Sequence, residues 1–299
     1  LFTGKEDVFS ELIKVRLRAH PNPSRVRRRE LSRGINSEVV VMQTRTDDEV
    51  VAEEGEAEKG LVIERRFTTA GADPFDAFDW IEMSVEIRNP DGSLAHEIHG
   101  VQLPSGFAGV PGKVCAQKYL RKAGVPAALR KVAEDGVPGW LQRSEPDHEK
   151  LQTLAPEDRF IGETNGRELF RRLAGTWTYW GWTHGYFASE ADARAFYDEM
   201  AYLIASQRSA PNSPQWFNTG LNWAYGITGP AQGHHYVDAV NGELNLSEDA
   251  YTHPQPHACF IQSVGDSLVG GTESIMGLWN REALLFKYCL LYTSPSPRD

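Results

Sequence analysis

The sequence predicts a mixed α/β fold whose first ordered part is mostly helical and carries one small β-hairpin. Three observations carry this. Residues 84–100 alternate apolar and polar about a turn, as two paired strands do. Apolar residues recur at helical spacing over 189–207, behind an N-terminal cap. The same helical spacing returns over 272–288. At 299 residues, the chain is long enough to bury a real core.

Order begins near Leu61. Before it, residues 1–41 are basic, with "RVRRRE" at 25–30, and Met42 heads the acidic low-complexity tract "MQTRTDDEVVAEEGEAEKG". We read 1–60 as disordered or as non-native upstream translation, with a natural start at Met42 or later. From Gly60, "GLVIERRFTTAG" has strand-like alternation. "SVEIR" (84–88) and "LAHEIHG" (94–100) flank "NPDG" (89–92), a turn by composition. "KVCAQKYLRKAGVPAALRKVAEDGVPGWL" (113–141) reads as helix, a turn at Gly124-Val125-Pro126, and helix again. In the first of these, Val114, Cys115, Lys118 and Tyr119 would share a face, making Cys115 a core residue.

"TWTYWGWTHGYF" (176–187) is too broken by glycine for a long helix, and its aromatics read as packing, with a ligand cage the lesser alternative. Over 189–207, Ser189 and Asp192 form a capping box, and Phe196, Met200, Leu203 and Ile204 form a buried stripe. Over 272–288, Thr272 or Ser274 caps a helix whose broad apolar face comes from Ile275, Leu278, Trp279, Leu285 and Phe286. "CLLYTSPSPRD" (289–299) continues no element and reads as a translated sequencing-adapter tail, so Cys289 carries no weight.

Composition excludes several functions. The formal net charge of −10 and pI near 5.4 argue against nucleic acid or an anionic membrane as the main partner. No apolar run reaches the ~20 residues of a membrane helix, and "LFTGKEDVFSELIKV" is no signal peptide. Three cysteines without paired spacing make no disulfide framework, which points to the cytoplasm. His234-His235, His253 and His257 lack the pairing of a structural zinc site, so no metal site is expected. Phosphate-loop and dinucleotide fingerprints are absent. That leaves Cys259 in "HPQPHACFIQSVGDSL" (253–268), at the head of the apolar run Phe260–Val264. On its chemistry alone it reads as a buried, inert thiol at a strand start, with a reactive thiol the lesser alternative.

Eight blocks in order reverse that reading: "VIERRFTTAG", "EIRNPDGS", "AQKYLRKAGVPA", "RLAGTWTYWGW", "APNSPQWFNTGLNWAYGI", "GPAQGHHYVD", "HPQPHACFIQSV" and "LWNREALLFKY". Together they resemble the N-terminal part of the vitamin B12-dependent (class II) ribonucleotide reductases, over about residues 61–288. The resemblance implies a helical N-terminal region over 61–205. The start of a ten-stranded α/β barrel over 206–288 would follow it, left incomplete here. It implies reduction of ribonucleoside diphosphates to the 2′-deoxy form, with adenosylcobalamin as radical source and a thioredoxin-like reductant.

The same resemblance assigns residues. Cys259 matches one thiol of the substrate-reducing pair. Ser213 and Ala258 match substrate contacts. Asp266, Ser267 and Leu268 match the site of a dNTP or ATP effector at a homodimer interface. The partner thiol and the radical cysteine are expected beyond residue 288, so the chain is expected to be a truncated, inactive piece. "FKYCLLYTS" stands where the family continues "FKYGSGTG", and "LPSGFAGVPGKVCAQKY" departs from the family's run at that helix. Two rivals remain at this stage: the large subunit of a class I reductase, and a non-catalytic dNTP-binding or dimerisation module.

Overall fold

The structure, a computed structural model, describes residues 60–88 and 91–286. The basic run, the acidic tract, Met42, the tail and Cys289 lie outside the described residues.

The hairpin forms as its alternation requires. Strands β1 (Trp80–Arg88) and β2 (Leu94–Pro104) pair antiparallel, with Trp80 opposite Pro104 and register shifts at Met83/Val85 and Ile87/Arg88. Val85, Val101 and Leu103 are buried on the inner face. At the turn, Asp91 Oδ1 accepts from the Ser93 amide (2.9 Å) and hydroxyl (2.6 Å), the local bonding that makes aspartate a turn residue. Three further two-stranded ladders follow in the chain, and among the described residues no sheet closes into a barrel.

Only the first part of 113–141 is helical. Helix α1 (Val110–Val114) runs into a π turn over Cys115–Tyr119. The wider turn shifts the buried face. Cys115, Ala116 and Leu120 are buried, whereas Val114 and Lys118 are exposed, against the shared face expected for them. The expected second helix is absent. Strand β3 (Val125–Pro126) pairs with β6 (Phe160–Ile161), and β4 (Leu129–Lys131) pairs with β5 (Ser144–Pro146). Pro126 and Pro138 cannot donate to a helical ladder. The backbone donors between them go elsewhere: Ala127 N–H to Arg159 O and Val132 N–H to Arg143 O, both at 3.0 Å. Helix α2 (His148–Gln152), between β5 and β6, is a single short turn capped by Asp147.

The largest departure is helix α3 (Gly166–Thr183), 18 residues long, which runs through Gly181 and most of the stretch expected to be glycine-broken and stops only before Gly185, at φ +67°. Its glycines are contact sites. A Cβ on Gly175 would lie 2.2 Å from the Trp223 ring, and one on Gly181 would lie 2.7 Å from the Phe187 ring. Each glycine costs about 1 kcal/mol of helix propensity relative to alanine. Close ring packing and the buried face of Leu169, Phe170, Leu173 and Ala174 offset that. Asn165 caps the helix in a capping box with Glu168.

Helix α4 (Glu190–Ala205) begins at Ser189 as expected, whose Oγ accepts the Asp192 amide. The reciprocal half of the box is missing. Asp192 instead accepts the Ser189 hydroxyl (2.5 Å) and the Ile63 amide (2.9 Å). The apolar stripe is also thinner than expected. Ile204 is buried, but Phe196, Met200 and Leu203 are half-buried, and the innermost positions include Ala201, Asp198 and Glu199. Those carboxylates hold the incoming chain: Asp198 pairs with Arg65 (2.7 Å), and Glu199 accepts the amides of Phe67 and Thr68 and the Thr68 hydroxyl. The main core joins this helix, α3 and the hairpin around Phe75, Phe107 and Phe170, with Trp216 at its edge.

Candidate functional site

Two short helices place the first candidate residue. In "APNSPQWFNTGLNWAY", Asn212 caps α5 (Ser213–Asn218), with its side chain accepting the Gln215 amide, and Pro214 sits in the first turn, where its missing N–H costs nothing. Gly220, at φ +84°, turns the chain into α6 (Leu221–Tyr225). A Cβ there would lie 2.5 Å from Arg172, so glycine is required twice over.

What fixes this corner is a buried ion pair. Arg172 on α3 is 1% exposed and Glu163 3%. The guanidinium donates Nε to Glu163 Oε1 (2.8 Å) and one terminal nitrogen to Glu163 Oε2 (3.2 Å). It also donates to the carbonyls of Thr219 (2.6 Å) and Trp216 (3.2 Å), which end α5. Glu163 further accepts the Tyr225 hydroxyl (2.7 Å) and the Arg121 amide (2.8 Å). Burial and this carboxylate push the Tyr225 hydroxyl well above its ordinary value, so it remains a donor. One charge pair thereby ties α3, α5, α6 and the loop between β6 and α3 together.

Ser213, at the first position of α5, is half-buried, with its Oγ 3.5 Å from the Tyr119 hydroxyl. Tyr119 stacks on Trp216 at 5.1 Å between ring centroids. Asn218 Nδ2 donates to the Gln255 carbonyl (3.2 Å), which links α5 to the segment leading to Cys259. Ala258 and Cys259 are both exposed, and Cys259 is a free thiol.

Phe260–Val264 forms no strand. No ladder partner lies beside it among the described residues, and Ile261 is fully exposed. It is held from the last helix instead: Arg281 donates to Gln262 Oε1 (2.8 Å) and the Ser263 carbonyl (2.6 Å). Cys115 contrasts with Cys259. Burial, with the Glu163 carboxylate adding to it, pushes its thiol up to about 12, which leaves it an inert core group.

Asp266, Ser267 and Leu268 are exposed and fold back over the N-terminus of α7 (Ile275–Leu285), which Ser274 caps. The Ser267 carbonyl accepts the Ile275 amide (2.9 Å), and the Leu268 carbonyl accepts that of Met276 (3.2 Å). The Gly277 amide goes to Ser274 Oγ (3.0 Å). An anion at this helix end therefore has to displace the two carbonyls first. Ile275, Met276, Trp279 and Phe286 leave an apolar face of α7 open.

The histidine-rich stretch shapes a cavity of about 1230 Å³ between α3, α6, the hairpin β7–β8 (His235–Val237 and Leu244–Leu246) and residues 251–257. Trp180, Trp223, His234 and Tyr251 are among its lining residues; Ser213, Ala258 and Cys259 are not. The aromatic cluster thus serves both packing and a cavity wall. Neither the Arg172–Glu163 pair nor this cavity was legible in the sequence, since each joins residues far apart in the chain.

Residues 81–207 match the family model described as class II vitamin B12-dependent ribonucleotide reductase. The chain is 57% identical over 228 residues to a vitamin B12-dependent ribonucleotide reductase of Bradyrhizobium diazoefficiens, covering 76% of the chain and 18% of the relative. It is 56% identical over 228 residues to the enzyme of that name from Agrobacterium fabrum, with the same coverage. A more distant relative of the same name, from Rhodopirellula baltica, is 28% identical over 230 residues, or 77% of the chain and 19% of that protein. The chain thus spans about a fifth of the length of the reductases it matches. Among the described residues no helix is long and apolar enough to cross a membrane.

Proposed function

We propose that the chain supplies the N-terminal region and first barrel segment of a cytoplasmic ribonucleoside-diphosphate reductase that works as a homodimer. Residues 206–288 begin the ten-stranded barrel. In this reading Ser213 and the main chain at Ala258 bind the substrate. Cys259 is one of two thiols that together give up two electrons. The 2′-hydroxyl leaves as water, the deoxynucleotide forms, and the thiols close as a disulfide that a thioredoxin-like dithiol reopens. Asp266, Ser267 and Leu268 take the dNTP or ATP effector beside the open face of α7.

The observation that carries the reading is the 57% identity over 228 residues. The exposed free thiol of Cys259 is compatible with it. Adenosylcobalamin supplies the radical that starts such a reaction. The large cavity reaches His257 and Phe260, on either side of this thiol in the chain, but Ser213, Ala258 and Cys259 do not line it.

The chain alone is expected to give no turnover, because Cys115, the one other cysteine among the described residues, is locked in the core. A chimera tests the reading. Residues 60–286 replace the matching segment of the Bradyrhizobium reductase, and deoxynucleotide formation is followed with and without cobalamin. Cobalamin-dependent turnover supports the reading. A folded, cobalamin-binding chimera without turnover counts against it, as does turnover by the chain alone.

A further inference from the structure

Among the described residues, Ser213 Oγ and the Tyr119 hydroxyl are each other's hydrogen-bond partners, at 3.5 Å. Tyr119 closes the π turn over Cys115–Tyr119, where the Leu120 amide reaches back to the Cys115 carbonyl (3.1 Å). Such turns are uncommon and recur at functional sites. The tyrosine ring is held on two sides. It stacks on Trp216 at 5.1 Å and 15°, and it leans on Phe217 at 5.7 Å. Trp216 is itself fixed, with its Nε1 donating to the Pro211 carbonyl (3.0 Å) and its own carbonyl taken by Arg172 (3.2 Å). The packing that fixes α5 therefore also sets the tyrosine hydroxyl beside Ser213.

A bound phosphate would decide the direction of this bond. A serine hydroxyl has one proton to give and two lone pairs. An ionised phosphate oxygen only accepts, so the Ser213 proton goes to it. Tyr119 is then the donor to Ser213 Oγ, and bonds in such a chain strengthen one another. In the free chain the contact is longer than the roughly 2.5–3.0 Å usual between hydroxyls, so it adds little to stability. Bonds of this kind tighten when the ligand arrives.

We propose that Tyr119 is a positioning residue for substrate. Its hydroxyl donates to Ser213 Oγ and leaves the serine proton to an oxygen of the substrate's diphosphate. The proposal rests on the reading of Ser213 as a substrate contact.

The Bradyrhizobium chimera carrying residues 60–286 tests it through the kinetics of ADP reduction. Tyr119→Phe keeps the ring and removes only the hydroxyl. It should raise KM about fivefold, with kcat within about twofold and the urea midpoint within about 0.3 M. Ser213→Ala should raise KM at least as much. Adding Tyr119→Phe to it should cost nothing further, because the tyrosine acts through the serine. An unchanged KM in Tyr119→Phe, beside a raised one in Ser213→Ala, overturns the proposal and leaves the reading of Ser213 standing. Additive effects of the two changes do the same, as does a fall in kcat or in the urea midpoint in place of the KM rise. If neither change moves KM, or the unaltered chimera gives no turnover, the proposal and that reading fall together. Should Ser213→Ala not fold, KM and kcat of Tyr119→Phe decide alone.

Discussion

Replacing Glu163 with alanine removes the anion from a fully buried guanidinium and the acceptor from two further donors. Arg172 would keep its bonds to the Trp216 and Thr219 carbonyls but lose both to carboxylate oxygens. The Tyr225 hydroxyl and the Arg121 amide would lose theirs as well. Breaking one side of a buried ion pair costs ~3–5 kcal/mol. The orphaned donors share that environment, so their costs overlap with it rather than add in full. A loss of about 4 kcal/mol is a large part of the ~5–15 kcal/mol by which domains are stable. At a urea slope of about 2.5 kcal/mol/M, the midpoint should fall by about 1.6 M. Tryptophan fluorescence reads the transition, since Trp216 and Trp223 sit on either side of the network. A fall below about 0.3 M with unchanged slope would refute the claim that this pair fixes the α5–α6 corner.

Other expectations follow from packing and protonation. Iodoacetamide should label Cys259 in the folded chain and spare Cys115 until urea unfolds it, as read by peptide mass mapping; equal labelling of both would contradict the burial of Cys115. Gly175→Ala gains about 1 kcal/mol of helix propensity but drives a methyl into Trp223, threatening the bond from its Nε1 to the Leu141 carbonyl. Overpacking costs ~1–3 kcal/mol and the bond about 1, so the thermal midpoint should fall rather than rise. Burial pushes Glu134 up, but the Arg143 amide, the Tyr179 hydroxyl and the Arg143 guanidinium outweigh it and hold the carboxyl below its ordinary value. Its stabilisation is therefore present above the unfolded value of about 4.3 and lost as pH falls through the lower folded one. Glu134→Gln should flatten the dependence of the urea midpoint on pH below about pH 5; an unchanged slope would contradict this.

The elements that the sequence shows clearly are those built from neighbours. The hairpin about Asp91 and the caps at Ser189 and Ser274 follow from local patterns, and all three are present. Failures came where a distant partner decides. Gly181 looks like a helix breaker until Phe187 is seen to need its space, and Gly175, just before that stretch, makes the same room for Trp223. The stretch after Pro126 has helical composition but its Leu129–Lys131 pairs with 144–146, while Val125–Pro126 before it pairs with 160–161. Phe260–Val264 has strand composition but no ladder to join. The candidate residues were found through resemblance, because an exposed cysteine, a half-buried serine and an exposed Asp-Ser-Leu carry no local signature of their role.

The claim at the centre of this account is that Cys259 reduces substrate, and the Bradyrhizobium chimera tests it directly. The chimera is reduced, freed of external dithiol and given one pulse of ribonucleoside diphosphate with adenosylcobalamin. It is then alkylated and mapped. Cys259 should become protected from alkylation as part of a disulfide, in step with deoxynucleotide formed, and Cys259→Ser should abolish the product. Deoxynucleotide formed while Cys259 remains fully alkylatable would contradict the account.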